Sequence, residues 1–165
     1  MNAPEVAPAI SFSFAIVERC AADPSGGGSP YDSDERLGDR VSPDGAGRYV
    51  LIVEDDRDCR ESLGLLLRSS GCTVKSAQNG RQALDMLRDA PLPAVILLDN
   101  LMPLMTGEEF LEERKNDPRL AGIPVLMLSA WGASTTGKVL DVAEHVRKPY
   151  DPDRVVSLVH HFLEL

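Results

Sequence analysis

Residues 94–107 read Ala94-Val-Ile-Leu-Leu-Asp-Asn-Leu-Met-Pro-Leu-Met-Thr-Gly107. The apolar run at 94–98 stops abruptly at Asp99. A short run of this kind, bounded by turn signals, is typical of a strand buried on both faces in a parallel sheet. Pro103 and Gly107 interrupt regular structure just beyond the carboxylate. We therefore expect Asp99 at the carboxyl end of a buried strand, where ligands bind in open α/β sheets. The alternative is that Asp99 only caps a turn.

The composition of the 165-residue chain, 43% apolar and 26% charged, is typical of one globular domain. A net charge of -9 argues against a nucleic-acid surface, which would need a basic face. The three cysteines, Cys20, Cys59 and Cys72, offer no disulfide framework and no paired metal spacing, and their odd number fits a reducing compartment. The apolar stretch at 10–17 is too short to span a membrane. These features predict a cytoplasmic protein without a membrane segment.

Residues 1–47 differ in composition from the rest of the chain. Residues 21–47 are dominated by Gly, Ser, Pro and Asp, and such a segment buries too little apolar surface to offset its ordering entropy. Residues 1–47 hold eight acids and three bases, a net charge of -5. We expect a disordered or weakly ordered extension, either inert or a docking arm, in which residues 12–20 form at most a transient helix or an extra strand.

From residue 48 onward, short apolar runs alternate with amphipathic segments. The runs predict strands at 49–53, 72–77, 94–98, 124–129 and 142–146. The segments between them predict helices at 58–70, from a cap at Asn79 to near Pro91, at 107–116 closed by Pro118, weakly at 133–141, and at 152–163. This alternation predicts an α/β fold with right-handed crossovers and a parallel sheet covered on both faces.

Acidic side chains end two strands of this predicted sheet. Glu54, Asp55 and Asp56 follow the first strand, and Asp99 follows the third. In a parallel sheet these endings share one edge, and two charges 4 Å apart repel by about 4 kcal/mol at an effective dielectric near 20. Such a cluster needs a cation or raised pKa values, and hard oxygen ligands suit Mg²⁺. The alternative for residues 54–56 is capping of the next helix.

Two further polar residues follow strands at the same edge. Ser129 ends the fourth strand and Lys148 follows the fifth. Taken singly, the serine could be a cap and the lysine a solvated surface group. Taken together with the acids, they would surround a phosphoryl group, so that Asp99 attacks phosphorus while the metal, Ser129 and Lys148 neutralise charge on the equatorial oxygens. The product would be an acyl phosphate.

The chain from residue 48 to its end resembles a response-regulator receiver domain of two-component signalling. The motifs that carry the resemblance are Val50-Leu-Ile-Val-Glu-Asp-Asp56, Leu98-Asp-Asn-Leu-Met-Pro103 with Gly107, Ser129-Ala130, and Lys148-Pro149. The resemblance implies a flavodoxin-like doubly wound five-stranded parallel sheet of strand order 2-1-3-4-5, and a receiver domain spanning residues 48–165.

The resemblance also implies a role for each matching residue. Asp99 matches the phosphoacceptor, and Glu54 and Asp55 match the acidic pair that binds Mg²⁺ together with Asp99. The backbone carbonyl of Leu101 would complete the protein ligands of the metal. Ser129 matches the switch hydroxyl and Lys148 the lysine that contacts the phosphoryl group. The bond between Lys148 and Pro149 is expected to be cis, as it often is in the family.

Three features depart from the family pattern. His145 stands where the second switch residue is usually Tyr or Phe. The spacing from Ser129 to Lys148 is about one helical turn of 3.6 residues too short, which predicts an atypical output face. Leu101 and Trp131 flank the pocket where many relatives have polar groups. Because neither side chain can orient a water molecule, we expect slow loss of the phosphoryl group.

The function that these features predict is a stand-alone phosphoacceptor switch that acts through protein contacts and is not an enzyme beyond its own phosphorylation and dephosphorylation. A sensor histidine kinase or a histidine phosphotransfer protein would donate the group to it. The chain has no room for a DNA-binding domain, and the downstream protein is not indicated. The alternatives are a phosphorylation-independent binding module on the same fold and, less favoured, an Mg²⁺-dependent phosphatase or a flavin-binding protein. Leu101 stands where such a phosphatase usually has a second acid.

Overall fold

The computed structural model describes residues 48–89, 91–130 and 140–164. Most of the strands and helices in these ranges follow one another in alternation, as the sequence predicts. In chain order they are β1 (Tyr49–Val53), α1 (Arg57–Ser69), β2 (Thr73–Ala77), α2 (Gly80–Asp89), β3 (Val95–Asp99), α3 (Gly107–Lys115), α4 (Pro118–Ala121), β4 (Val125–Ser129), β5 (Glu144–Arg147) and α5 (Pro152–Leu163).

The five described strands form one parallel sheet in the order β2-β1-β3-β4-β5. Strands β1 and β3 lie in its interior and are buried along their whole length. Their register pairs Val53 with Leu98, so that the residues which follow, Glu54 and Asp99, emerge side by side. The expected fold class and strand order are confirmed.

Alternate residues of β1 face two separate hydrophobic clusters, one on each side of the sheet. Leu51 and Val53 pack with side chains of α2, α3 and α4. Val50 and Ile52 pack with side chains of α1 and α5. Helices therefore cover both faces of the sheet, as expected for strands without a polar side.

Polar caps set the starts of the helices. Asp56 accepts a hydrogen bond from Cys59 N at 2.8 Å at the start of α1, and Asn79 accepts one from Gln82 N at 2.8 Å at the start of α2. Before α3, Thr106 and Glu109 form a capping box. These short-range contacts place each helix directly after the strand that it covers.

Pro118 does not simply close α3, as the sequence analysis expected. It is the first residue of the short helix α4, because Asp117 caps that helix by accepting from Arg119 N at 2.9 Å. Proline lacks the N–H that the first turn of a helix leaves unbonded, so it both ends one helix and begins another.

Strand β5 begins at Glu144, two residues later than predicted. Val142 N donates to the carbonyl of Leu140 within a turn, so the ladder with β4 starts only where Glu144 pairs with Leu126. Most of the weak helix predicted at 133–141, together with Trp131 and the extension at 1–47, lies outside the described residues.

Of the three cysteines, Cys72 is a buried free thiol. Among the residues that the structure describes, no helix is long and apolar enough to cross a membrane.

Candidate functional site

Three acidic side chains meet at the carboxyl edge of the sheet. Glu54 follows β1, its backbone held by a 3.2 Å hydrogen bond from Glu54 N to the carbonyl of Ala77, and Asp99 is the last residue of β3. Carboxylate oxygens of Glu54, Asp55 and Asp99 all lie within 4.8 Å of one another. Glu54 and Asp99 are buried, whereas Asp55 is exposed.

The amine of Lys148 lies between two of these carboxylates. Lys148 Nζ donates to Glu54 Oε2 at 2.7 Å and to Asp99 Oδ1 at 2.6 Å. The backbone positions it, because Lys148 N donates to the carbonyl of Ser129 at 2.7 Å. Only 7% of the residue is exposed, so the alternative of a solvated surface lysine is wrong.

The electrostatics of the cluster follow from burial and from these contacts. Burial raises the pKa of Glu54 to about 6, although the ammonium of Lys148 opposes this shift. Desolvation, reinforced by the charge of Asp99, raises the pKa of Asp55. Burial lowers the pKa of Lys148, but the carboxylates of Glu54 and Asp99 outweigh burial and raise it overall. The lysine is therefore charged at neutral pH and partly compensates the acids.

The donor set fits a hard divalent cation. Three carboxylates offer oxygen ligands, and the exposed Asp55 leaves one side open to water. Mg²⁺ is usually bound through one or two carboxylates while it keeps several waters. Leu101 lies against the same cluster, because its backbone N–H donates to Asp99 Oδ2 at 2.8 Å. Glu54, Asp55 and Asp99 are therefore the residues that could hold such an ion.

The three acids at 54–56 do not all have the same role, since one caps a helix and another belongs to the acidic cluster. Asp56 caps α1, whereas Glu54 reaches Lys148. A further residue, Arg60, was not predicted to take part. Its Nη1 donates to the backbone carbonyls of Glu54 at 2.8 Å and Asp55 at 3.0 Å, so the first helix fixes the loop that carries both acids.

Gly107 lets the loop after β3 close tightly over the strand end. Its N–H donates to the carbonyl of Asn100 at 2.9 Å, and a Cβ at this position would lie 2.6 Å from the carbonyl oxygen of Asp99. No side chain larger than hydrogen fits there without a shift of the backbone. Gly107 therefore sets how closely α3 approaches the candidate phosphoacceptor.

Ser129 and His145 occupy different surroundings. Ser129 is the half-buried last residue of β4, next in sequence to Leu128, which pairs with Asp99. It thus lies at the same edge as the acids. His145 pairs with Met127 inside the ladder and is exposed. The peptide bond between Lys148 and Pro149 is cis, as expected.

Tyr150 is a second neighbour that the sequence analysis did not single out. Burial raises its pKa to about 12, and the charges of Lys148, Glu54 and Asp99 also act on its hydroxyl. The ring packs with the hydrophobic cluster beneath α1 and α5. Its position directly after Lys148-Pro149 was the only sequence signal available.

Comparisons with known proteins show which family the chain resembles. The sequence profile of the response regulator receiver domain matches residues 50–160. The two-component response regulator ORR5 of Oryza sativa subsp. japonica is 34% identical over 122 residues, which are 72% of this chain and 91% of ORR5. The response regulator Rre1 of Synechocystis sp. is 33% identical over 118 residues, or 69% of this chain. The chain spans about half the length of Rre1, 51%.

A solved structure gives the same result for the fold. The chemotaxis protein CheY4 of Vibrio cholerae superposes with a TM-score of 0.63 at 29% identity, covering 71% of this chain and 99% of that protein. This chain belongs to the response regulator receiver domain family of two-component systems.

Proposed function

We propose that this protein is a phosphoacceptor switch of a two-component phosphorelay, phosphorylated on Asp99 with Mg²⁺ as cofactor. Its receiver domain would span residues 48–165, slightly more than the 50–160 that match the family profile. The observation that carries the proposal is the pair of hydrogen bonds from Lys148 Nζ to Asp99 Oδ1 and Glu54 Oε2. These bonds hold the buried ammonium group of Lys148 beside the carboxylate that would receive the phosphoryl group.

The acids of the cluster would serve as metal ligands, and Asp99 would in addition accept the phosphoryl group. Glu54 and Asp55, with Asp99 and the carbonyl of Leu101, would hold Mg²⁺, which when bound neutralises charge on the phosphoryl oxygens. Arg60 keeps the backbone of Glu54 and Asp55 in place. Arg60 contacts only the carbonyls of these two acids and does not compete for their carboxylates. Since Lys148 Nζ already binds Glu54 Oε2, the other oxygen of Glu54 and the carboxylate of Asp55 would serve as ligands.

Phosphoryl transfer would form one bond and break another at phosphorus. An oxygen of Asp99 attacks, and the bond between phosphorus and the donor's imidazole nitrogen breaks, with its electron pair leaving on that nitrogen. Lys148, already bonded to Asp99 Oδ1, can follow the charge onto the phosphoryl oxygens because its amine carries three donors. The backbone N–H of Leu101 holds the other carboxylate oxygen.

The readout would start at Ser129. A phosphoryl group on Asp99 adds acceptor oxygens at the edge where the Ser129 hydroxyl lies, and drawing that hydroxyl inward would move the segment after β4. His145, exposed on β5, would be the second switch residue. A histidine in place of an aromatic phenol or phenyl ring changes both packing and charge at that position.

The partners follow from the family. We propose a sensor histidine kinase or histidine phosphotransfer protein as donor, and an unidentified downstream protein as receiver of the signal. The protein would act in the cytoplasm through protein contacts, catalysing only its own phosphorylation and dephosphorylation. This proposal invokes no DNA-binding domain and no membrane.

Beryllofluoride, which mimics a phosphoryl group on aspartate, provides the test. With Mg²⁺ present it should bind the wild-type protein saturably and shift the amide resonances of Ser129 and Lys148, while D99N should show no shift. D89N, which changes an exposed aspartate at the end of α2, is the matched control and should behave like wild type. Equal shifts in wild type and D99N would instead favour a phosphorylation-independent binding module.

A further inference from the structure

A polar groove lies between α1 and β2, away from the acidic cluster. It encloses about 210 Å³ and is lined by residues of the helix, of the strand and of the turn that follows the strand. The charged side chains that line it are Arg60, Glu61 and Arg68 of α1, and the uncharged polar ones are Ser76, Gln78 and Gln82; Gly64 and Val74 complete the lining. The proposed phosphorylation uses none of these side chains as a ligand.

Two arginines on α1 face this groove from one row of the helix. Arg60, Gly64 and Arg68 are spaced by four residues and therefore lie on the same face. Gly64 is buried and has no side chain to fill the space between them. A Cβ there would lie 3.0 Å from Arg68 Nη1, so the guanidinium of Arg68 is folded back over Gly64 toward Arg60.

Glu61, the one acidic residue among the described residues that line the groove, does not neutralise the two arginines. Its Oε1 accepts from Arg57 Nε at 2.8 Å. Arg68 forms no ion pair with any described residue. Arg60 directs Nη1 to two backbone carbonyls, which do not neutralise its charge. Two guanidinium groups therefore share the groove without a counter-ion from its walls.

The opposite wall adds uncharged donors. Gln82 Oε1 accepts from Gln78 N at 2.7 Å, so the acceptor end of this amide is engaged and its NH₂ end is the group left to donate. Ser76 contributes a hydroxyl. Guanidinium, amide and hydroxyl donors around one space match the several acceptor oxygens of a tetrahedral oxyanion better than a single carboxylate.

We infer that the groove between α1 and β2 binds a small anion carrying phosphate groups. Arg60 and Arg68 stand about 12 Å apart along the helix axis at 1.5 Å per residue, and the folded-back side chain of Arg68 shortens the gap between their guanidinium groups. An elongated anion with two phosphate groups would contact the guanidinium groups of both arginines. This inference does not require phosphorylation at Asp99.

Inorganic pyrophosphate is the probe, titrated into the full-length protein with EDTA present and no divalent cation. Without a metal ion, the carboxylates at the sheet edge repel the probe, so binding reports on the groove. Calorimetry gives the affinity, and the amide resonances of Ser76, Gln78 and Gln82 give the location. Arg68→Gln removes one charge from an exposed side chain, and Arg81→Gln removes one from an exposed arginine outside the groove.

The wild-type protein should bind pyrophosphate saturably, with shifts centred on the groove. R68Q should weaken binding roughly tenfold or more, the usual effect of losing a charged hydrogen bond, while R81Q keeps the wild-type affinity. Both variants should unfold at the wild-type urea concentration. Absence of saturable binding, or equal weakening by R68Q and R81Q, would overturn the inference.

Discussion

Lys148 donates to Glu54 and Asp99, two carboxylates that are as buried as the lysine itself. Replacing it with methionine removes the positive charge and keeps most of the volume. Because an uncompensated buried charge is costly, we expect K148M to lose on the order of 3 kcal/mol of unfolding free energy at pH 7 without metal. Mg²⁺ should restore part of this loss, since it supplies another cation. Urea unfolding with and without Mg²⁺ measures both effects.

Lys115 provides the matched control for this substitution. It is exposed and its amine lies 3.6 Å from Glu112 Oε1. Exposed pairs of this kind contribute little, so K115M should change stability by less than about 0.5 kcal/mol. If K148M were as stable as K115M, the buried lysine would not be balancing the acids.

The raised pKa of Glu54 predicts that its contribution to the free energy of unfolding changes with pH in the opposite direction to that of an acid whose pKa is lowered by folding. Burial raises its pKa to about 6 from an ordinary 4.5, so the folded state binds more protons than the unfolded state between these values. The free energy of unfolding therefore falls as pH rises across this window, by about 2 kcal/mol from this group. E54Q should remove that slope. Urea unfolding in EDTA from pH 4.5 to 7 tests it, and parallel profiles for wild type and E54Q would contradict it.

Leu101 predicts the lifetime of the phosphorylated state. The residue is 62% exposed and its backbone N–H donates to Asp99 Oδ2, so its side chain stands beside the proposed phosphoacceptor on the solvent side. Because leucine cannot orient water, we expect slow dephosphorylation, and L101Q should accelerate it on the order of tenfold by positioning the nucleophile. Loss of radiolabelled phosphate with Mg²⁺ measures the rate. L104Q, which changes another exposed leucine of the same loop, is the control, and a wild-type half-life of seconds would refute the expectation.

The identity of the acids could be predicted from the sequence, but their partners could only partly be. Asp99 and Glu54 each end an apolar run, which places them at one edge. Considered by itself in the sequence, Lys148 resembles an exposed surface lysine. Its burial is explained only by the two carboxylates that accept hydrogen bonds from its amine. Arg60 binds backbone carbonyls, which any residue supplies, so no sequence pattern reveals that contact.

At the scale of elements, Gly107 controls how α3 meets β3. G107A would place a Cβ 2.6 Å from the carbonyl oxygen of Asp99, so the loop must shift, and we expect a loss of about 1–3 kcal/mol as for other overpacked sites. Weaker beryllofluoride binding should accompany the loss, because Asp99 moves with the loop. Urea unfolding and a beryllofluoride titration check the two effects.

Gly122 is the matched control for G107A. It caps α4 at φ -82°, and a Cβ there would meet no atom within 4 Å. G122A should therefore leave both stability and ligand binding near wild type. Equal effects of the two substitutions would mean that the loss at Gly107 reflects glycine in general and not the approach of α3.

The elements themselves were largely predictable because their signals are local. Apolar runs gave the five strands, and Asp56, Asn79 and Thr106 lie where caps belong. The errors arose where two signals compete. Pro118 both terminates and initiates a helix, and the turn at Val142 delays β5 although its residues have strand propensity. Such choices depend on which neighbour offers a hydrogen bond, and sequence periodicity does not contain that information.

For the molecule as a whole, the sheet links the candidate site to the remote parts of the chain. Glu54 and Lys148 are far apart in the sequence but meet at one edge of the sheet. They meet because the four strand pairings are parallel and place the carboxyl ends of all five described strands at that edge. The shared edge could be predicted from the alternation of strands and helices. What the alternation could not give is the distance between side chains there, which depends on register and on the loop fixed by Gly107.

The most direct test is the intact mass of the protein after incubation with acetyl phosphate and Mg²⁺. The wild-type chain should gain the mass of one phosphoryl group, and EDTA should prevent the gain. D99N should gain nothing, while the control D89N should match wild type. A wild-type chain that gains no mass, or a D99N variant that gains as much as wild type, would contradict the assignment of Asp99 as phosphoacceptor.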